Sequence, residues 1–163
     1  MPPGGEGKVS LKVNTKGYSG RTLKKNIVVS TNDPKSPSIT LSISGMVEKF
    51  VDIKPAYARL SGNAGQKIST LISIVPAKKY SFKITGISAM QNRDIQYFLT
   101  EKKFPEGDGY ELVVENRKTD KGSYHDVLSM KTDSSIQPVI KISVYGKIHD
   151  PDPDQKNSDR IAE

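Results

Sequence analysis

Residues 27–47 read IVVSTNDPKSPSITLSISGMV, and residues 128–148 read LSMKTDSSIQPVIKISVYGKI. The two stretches align without a gap at a constant spacing of 101 residues. Apolar and polar residues alternate in phase in both copies, which is the period-two pattern of a half-buried β-strand. We therefore predict a repeated β unit. Five aligned pairs are identical: Thr31 with Thr132, Pro37 with Pro138, Ile39 with Ile140, Ser42 with Ser143, and Gly45 with Gly146.

Strand patterns separated by turn signals continue along most of the chain. Gly, Pro, Asn and Asp punctuate short alternating segments at intervals of about 8–12 residues, which is typical of a β-sandwich. The resulting prediction is an all-β, immunoglobulin-like antiparallel β-sandwich. Predicted strands cover residues 8–14, 23–31, 39–44, 51–55, 58–60, 67–75, 81–87, 94–100, 110–115, 124–132 and 139–148. Gly45 is predicted to interrupt its strand, as a bulge or a tight crossing would.

The repeat extends upstream, where residues 5–14 answer residues 107–116 at a spacing of 102. Residues 5–47 then match 107–148, whereas residues 51–106 have no counterpart. We interpret residues 1–50 as the C-terminal half of one sandwich, residues 51–149 as a complete sandwich, and residues 150–163 as a disordered acidic tail or linker. The Pro- and Gly-rich start resembles a cut made in a loop, so the chain is expected to be a fragment of a tandem array.

The half-sandwich presents an apolar face that three strands cannot cover alone. Its residues are Val9, Leu11, Ile39, Leu41 and Ile43. Three arrangements remain open: the second domain covers the face, a second copy covers it by strand exchange, or the segment stays partly disordered. A homodimer that completes the half-domain is therefore one expected partner arrangement.

Charge supplies a second hypothesis. The net charge is +7, but residues 150–163 hold five acidic residues against two basic ones, which leaves +10 for residues 1–149. A basic body favours anionic partners such as glycan, lipid headgroups or nucleic acid, whereas scattered lysines also keep a β surface soluble. Two segments place aromatic residues beside lysines, and core-edge packing with lysines extended into solvent explains both of them equally well. They are residues 78–80 and 97–103, and we regard nucleic acid as an unlikely partner.

The residues that could suggest catalysis or metal binding do not have the spacing that either function requires. His125–Asp126 and His149–Asp150 are neighbours in sequence, and neighbours on a strand point to opposite faces. Asp150, Asp152 and Asp154 have the spacing that begins a calcium loop, but the sixth and twelfth loop positions lack the required Gly and Glu. No cysteine, Ser nucleophile motif, membrane-spanning apolar run or signal peptide is found. We predict no enzyme activity, no catalytic, cofactor or metal residues, and no membrane span.

Three segments resemble a bacterial family catalogued as domain of unknown function 1573. They are Gly5 to Val9, Ile27 to Pro34 with its TNDP turn, and the closing segment Leu41 to Val47. That family lies within the Hydin-like and major-sperm-protein-like immunoglobulin-type modules. The resemblance implies tandem immunoglobulin-like modules in a periplasmic or cell-envelope protein and supplies no catalytic residues. We therefore expect a non-catalytic structural or adhesive module that contacts protein through strand edges or end loops, with polyanion binding as the alternative.

Overall fold

The computed structural model describes residues 7–15 and 17–151, and those residues contain strands and no helix. The all-β prediction is confirmed. The chain forms two compact units, residues 1–49 (unit 1) and residues 50–163 (unit 2). The strands are β1 Thr22–Ser30, β2 Ser38–Met46, β3 Val51–Lys54, β4 Ala58–Asn63, β5 Ser69–Pro76, β6 Ile84–Ala89, β7 Ile95–Phe104, β8 Gly107–Asn116, β9 Gly122–Thr132 and β10 Val139–His149.

Unit 2 is a two-sheet sandwich with the strand order of an immunoglobulin domain. One sheet has the order β3-β5-β8-β7, and the other has the order β4-β10-β9-β6. When β3 and β4 are counted as two halves of a first strand, these are the ABED and GFC sheets of the constant-type fold. The predicted immunoglobulin-like sandwich is therefore confirmed. One detail of the prediction is wrong, because β4 pairs with β10 in parallel. The first strand changes sheets between Lys54 and Ala58, so its second half runs alongside the last strand.

The core of unit 2 lies between the inner faces of the two sheets. Alternation along each strand decides which side chains enter it, because successive residues point to opposite faces. Phe50 begins this core, and its ring stacks on Phe82 at a centroid distance of 5.0 Å. The core side chains with 0% exposure are Ala58, Leu60, Ile72, Ile74, Leu112, Val114, Leu128, Met130, Ile142 and Val144.

Among the described residues of unit 1, β1 and β2 form one antiparallel hairpin. Its register runs from Thr22 opposite Met46 to Ser30 opposite Ser38 without interruption. The predicted strand at residues 8–14 is wrong, since residues 7–15 have no strand structure. The pattern alternates correctly, but a strand needs a neighbour for its backbone hydrogen bonds. In unit 2 the matching strand β8 pairs with both β5 and β7, and the repeat includes no counterpart of either.

The structure also corrects the alignment of the two copies upstream of the hairpin. The inward residues of β8 are Tyr110, Leu112 and Val114. Val9, Leu11 and Val13 match these three at a spacing of 101, whereas the spacing of 102 would match them to outward residues of β8. The repeat is therefore in phase at one constant spacing over residues 9–47, and the glycines matched at 102 are a coincidence of loop composition.

Candidate interaction surfaces

The loop joining the two strands of the repeat has the same hydrogen bonds in both copies. The Thr31 hydroxyl donates to the Ser36 carbonyl, and the Thr132 hydroxyl donates to the Gln137 carbonyl at 2.7 Å. The backbone N–H groups of these threonines donate to the carbonyls of Pro37 and Pro138 at 3.0 and 2.9 Å. Two of the five identities in the repeat thus build one loop, which fixes the hairpin register in each unit.

On β2, the hairpin of unit 1 exposes residues whose counterparts in unit 2 are buried, whereas Leu23 on β1 is only 6% exposed. Ile39, Leu41 and Ile43 are 45%, 38% and 42% exposed. The aligned Ile140, Ile142 and Val144 are at most 1% exposed, because the sheet containing β5 and β8 covers them. We call the face formed by Leu23, Lys25, Ile27, Val29, Ile39, Leu41 and Ile43 the inner face of the β1–β2 hairpin.

Gly45 and Gly146 are identical in sequence and differ in surroundings. A Cβ placed on Gly146 would lie 2.0 Å from the Tyr124 ring. Tyr124 is the residue paired with Gly146 on the adjacent strand β9, and its ring lies over the glycine. A Cβ placed on Gly45 would meet nothing within 4 Å, and the residue opposite is Leu23. The predicted interruption at Gly45 is wrong, since its ladder is regular. In unit 2 the glycine makes room for a ring.

The Tyr124 hydroxyl is held at the edge of the core. It donates to Asn116 Oδ1 at 2.7 Å, and the Asn116 amide donates in turn to the Lys118 carbonyl at 2.8 Å. This resembles the tyrosine corner of immunoglobulin folds, in which a tyrosine at the start of the sixth strand bonds the preceding loop. Burial, and to a lesser degree the charge of Asp94, raises the pKa of Tyr124 to about 12.

Position 25 and its counterpart 126 hold opposite charges. Asp126 is 2% exposed, and its carboxylate accepts backbone N–H groups of Gln91 at 3.0 Å, Asn92 at 2.9 Å and Val127 at 2.7 Å. Burial alone would raise the pKa of Asp126, but the donated backbone hydrogen bonds outweigh it and lower that pKa. Asp126 thereby holds the loop between β6 and β7. In unit 1 the same inward position carries Lys25, whose Nζ lies 5.8 Å from the Tyr18 ring centroid.

His125 and Asp126 point to opposite faces of β9, as predicted. His125 is exposed on the outside of β9 while Asp126 points into the core, so the two side chains do not face each other. His149 is exposed, and Asp150 pairs with Lys121 at 2.5 Å. Residues 152–163 of the predicted tail, which include Asp152 and Asp154, lie outside the described residues. Among residues 7–15 and 17–151, no group of three acidic or histidine side chains could hold a metal ion.

The rings of the two aromatic–basic segments, residues 78–80 and 97–103, do not lie together on one open sheet face. Tyr80 packs against Phe50 at a centroid distance of 5.6 Å. Tyr97 packs against the core whereas Phe98 points outward, so the two rings lie on opposite faces of β7. Lys102 forms an ion pair with Glu111. Packing of the rings at the edge of the core, with the lysines extended into solvent, accounts for both segments.

Structure brings together a different aromatic row, which the sequence does not show because its members are far apart in the chain. Tyr57, Tyr145 and His125 lie side by side on the outside of the β4-β10-β9-β6 sheet. The Tyr57 and Tyr145 rings meet edge to face at 5.9 Å, and the His125 and Tyr145 rings are 4.9 Å apart. Alternation along the strands indicates that these side chains point outward. It does not show that they are neighbours, because that depends on the strand order of the sheet.

A cleft of about 550 Å³ lies at one end of unit 2, between the end of β5, the segment before β6 and the β7–β8 hairpin. Its charged lining residues are three lysines and three carboxylates. Lys83 and Asp133 are tied to each other through the Lys83 backbone N–H and Asp133 Oδ1 at 2.7 Å. The cleft therefore has no single-sign field that would select a charged ligand. Its charged side chains are Lys83, Glu101, Lys102, Lys103, Asp108 and Asp133.

Comparisons with known proteins support little beyond this description. No protein-family model and no curated protein matches the chain. One similar solved structure is a protein of unknown function from Porphyromonas gingivalis W83, with 10% identity and a TM-score of 0.49, and the match covers 77% of this chain and 65% of that one. Another is mouse clustered PcdhgC3 EC1-3, with 13% identity and a TM-score of 0.37, covering 79% and 42%. The chain thus spans less than two thirds of either structure.

A search for helices that are long and apolar enough to cross a membrane finds none among the described residues.

Proposed function

We propose that this chain is a non-catalytic protein-interaction module whose binding element is the inner face of the β1–β2 hairpin. The observation that carries the proposal is the exposure of Ile39, Leu41 and Ile43 at positions that the second copy buries completely. Completing their burial is worth roughly 2–4 kcal/mol in total, which is a substantial driving force for association.

The second copy indicates what kind of surface fits this face. In unit 2, the equivalent face of β9 and β10 is covered by extended strands that contribute Ile72, Leu112 and Val114. In addition β9 pairs with β6 and β10 pairs with β4, whereas β1 and β2 pair only with each other among the described residues. A partner can therefore cover the face and also add strands to two free edges.

Lys25 narrows the chemistry of the partner. It lies on the inner face opposite Ile43, so any covering surface meets a cation among aliphatic side chains. A symmetric dimer formed through this face would bring two lysines into one interface with no carboxylate from the face itself, which costs desolvation. We therefore favour a different polypeptide that presents apolar strand residues and a carboxylate facing Lys25.

Site-specific photo-crosslinking in the cells that make the protein tests this proposal. A benzophenone amino acid at position 41 reports on the inner face, and the same amino acid in place of Ser42 reports on the outer face of the same strand. We expect one protein adduct from position 41, little from position 42, and loss of the adduct when Lys25→Glu is added. Equal labelling at both positions, no adduct, or an adduct only with a second copy would overturn the proposal.

We further propose that the module belongs to a bacterial envelope or exported protein, as part of a tandem array. The support is the resemblance of residues 27–47 to domain of unknown function 1573. Fractionation of the source cells, with the chain detected by antibody alongside a cytoplasmic and an envelope marker, tests the location. Recovery with the cytoplasmic marker alone would contradict it.

A further inference from the structure

The outer face of the β4-β10-β9-β6 sheet concentrates positive charge. Outward positions on these strands hold four cations and no carboxylate, and within the described residues none of the four forms an ion pair. The same positions hold several serines, at 61, 88, 123, 129 and 143. The cations are Arg59, Lys131, Lys141 and Lys147.

The opposite face of the sandwich has a different charge arrangement. There, three lysines on or beside the β3-β5-β8-β7 sheet are paired with acidic residues. Lys54 contacts Asp52 at 2.9 Å, Lys67 contacts Glu115 at 3.8 Å, and Lys102 contacts Glu111. Solubility alone would not sort the charges in this way, because paired and unpaired surface lysines serve it equally well. The unpaired set on one face instead creates a positive field directed toward solvent.

The aromatic row crosses the middle of this positive face. Tyr57 and Tyr145 are each 49% exposed, and Arg59 pairs with Tyr145 in the register of β4 and β10. Neighbouring rings flank Tyr145 toward both adjacent strands, Tyr57 on the β4 side and His125 on the β9 side. A flanked ring does not provide the open face on which a nucleic-acid base stacks.

We infer that this face binds an acidic polysaccharide. Cations at Arg59, Lys141 and Lys147 would contact its carboxylate or sulfate groups, and Lys141 and Lys147 alone extend over about 20 Å of β10. The tyrosine and serine hydroxyls would contact its sugar hydroxyls. The site is separate from the β1–β2 hairpin, so this inference does not depend on the proposed protein interaction.

Fluorescence anisotropy with a labelled heparin fragment of about twelve sugars tests the inference at a low salt concentration of about 50 mM. The test variant is Lys141→Glu with Lys147→Glu. The matched control is Lys54→Glu with Lys67→Glu, which changes the net charge equally on the opposite face. We expect the test variant to weaken binding about tenfold or more and the control to weaken it less than about twofold. Tyr145→Ser should weaken binding about threefold, and urea unfolding of the same variant separates this effect from the loss of its ring contacts with Tyr57 and His125.

Three outcomes would overturn the inference. One is no binding of the heparin fragment at low salt. The second is an equal loss in the test and control variants, which would indicate a diffuse charge effect. The third is tighter binding of an oligo-deoxythymidine of similar length with a strong dependence on Tyr145, which would identify nucleic acid as the ligand. Circular dichroism of every variant verifies that the fold is retained.

Discussion

The β1–β2 hairpin and the β9–β10 hairpin are two copies of one sequence pattern in two environments. They share strand phase, register and loop hydrogen bonds, since Thr31 and Thr132 donate to equivalent carbonyls. They differ in burial, since Ile39 is 45% exposed and Ile140 is 1% exposed. The local pattern is therefore sufficient for the hairpin, whereas burial depends on strands from elsewhere in the fold.

The largest expected difference between the copies comes from their shared isoleucine. Ile140→Ala should destabilise unit 2 by about 3 kcal/mol, because it removes a fully buried side chain from a closed core. Ile39→Ala should change the stability of unit 1 by less than about 1 kcal/mol, because its side chain is only partly covered. Urea unfolding followed by circular dichroism measures the first effect, and hydrogen exchange of residues 22–46 measures the second. Equal effects would mean that unit 1 is covered in solution.

The shared glycine gives the next largest contrast. Gly146→Ala should cost about 2 kcal/mol or more, because the new methyl group overlaps the Tyr124 ring. Gly45→Ala should be neutral, or stabilising by up to about 1 kcal/mol, because the site is open and alanine restricts the unfolded chain. Thermal unfolding of the two variants measures both. If Gly45→Ala proves as harmful as Gly146→Ala, a partner occupies the space above Gly45.

The aligned pair of opposite charges predicts a pH effect confined to unit 2. Asp126→Asn should cost about 2 kcal/mol at neutral pH, because an amide group would replace an acceptor of buried backbone N–H groups. The pKa of Asp126 is lowered on folding, so its stabilisation is full above its ordinary pKa near 4 and is lost as the pH falls through the lower folded value.

Urea midpoints measured from neutral pH down to about pH 3 should therefore fall less steeply for Asp126→Asn than for the parent chain. The control, Lys25→Asn, should leave both the midpoint and its acid dependence nearly unchanged, since Lys25 is exposed. An identical acid dependence in the parent and in Asp126→Asn would show that Asp126 is not the group that titrates.

The smallest expected effect tests what the copies share. Thr31→Val and Thr132→Val each remove a hydroxyl that makes two loop hydrogen bonds, and each should cost about 0.5–1 kcal/mol in its own unit. Hydrogen exchange of the loop amides at Asp33 and Ser134, which donate to these hydroxyls, provides the readout. A large effect in one copy and none in the other would show that the loops depend on their surroundings.

Much of the fold could be predicted, because alternating strands and turn residues leave a local signal. Ten strands were predicted close to their observed positions, and the alternation at residues 8–14 failed for want of pairing partners. Of the candidate surfaces, the exposed face of Ile39, Leu41 and Ile43 was predictable from phase and repeat arithmetic. The row of Tyr57, Tyr145 and His125 was not, since residues from β9, from β10 and from just before β4 meet only after the sheet has formed.

The sequence by itself determined the class of fold, the repeat, the register of each hairpin and the loop that joins its strands. These features depend on neighbouring residues, whose backbone and side-chain preferences act over short distances. Tertiary structure alone decided which copy is buried, why Gly146 faces a ring, and that the unpaired cations collect on one face. Those properties arise from contacts between residues distant in the chain. Identical residues at aligned positions, such as Ile39 and Ile140, therefore have different environments.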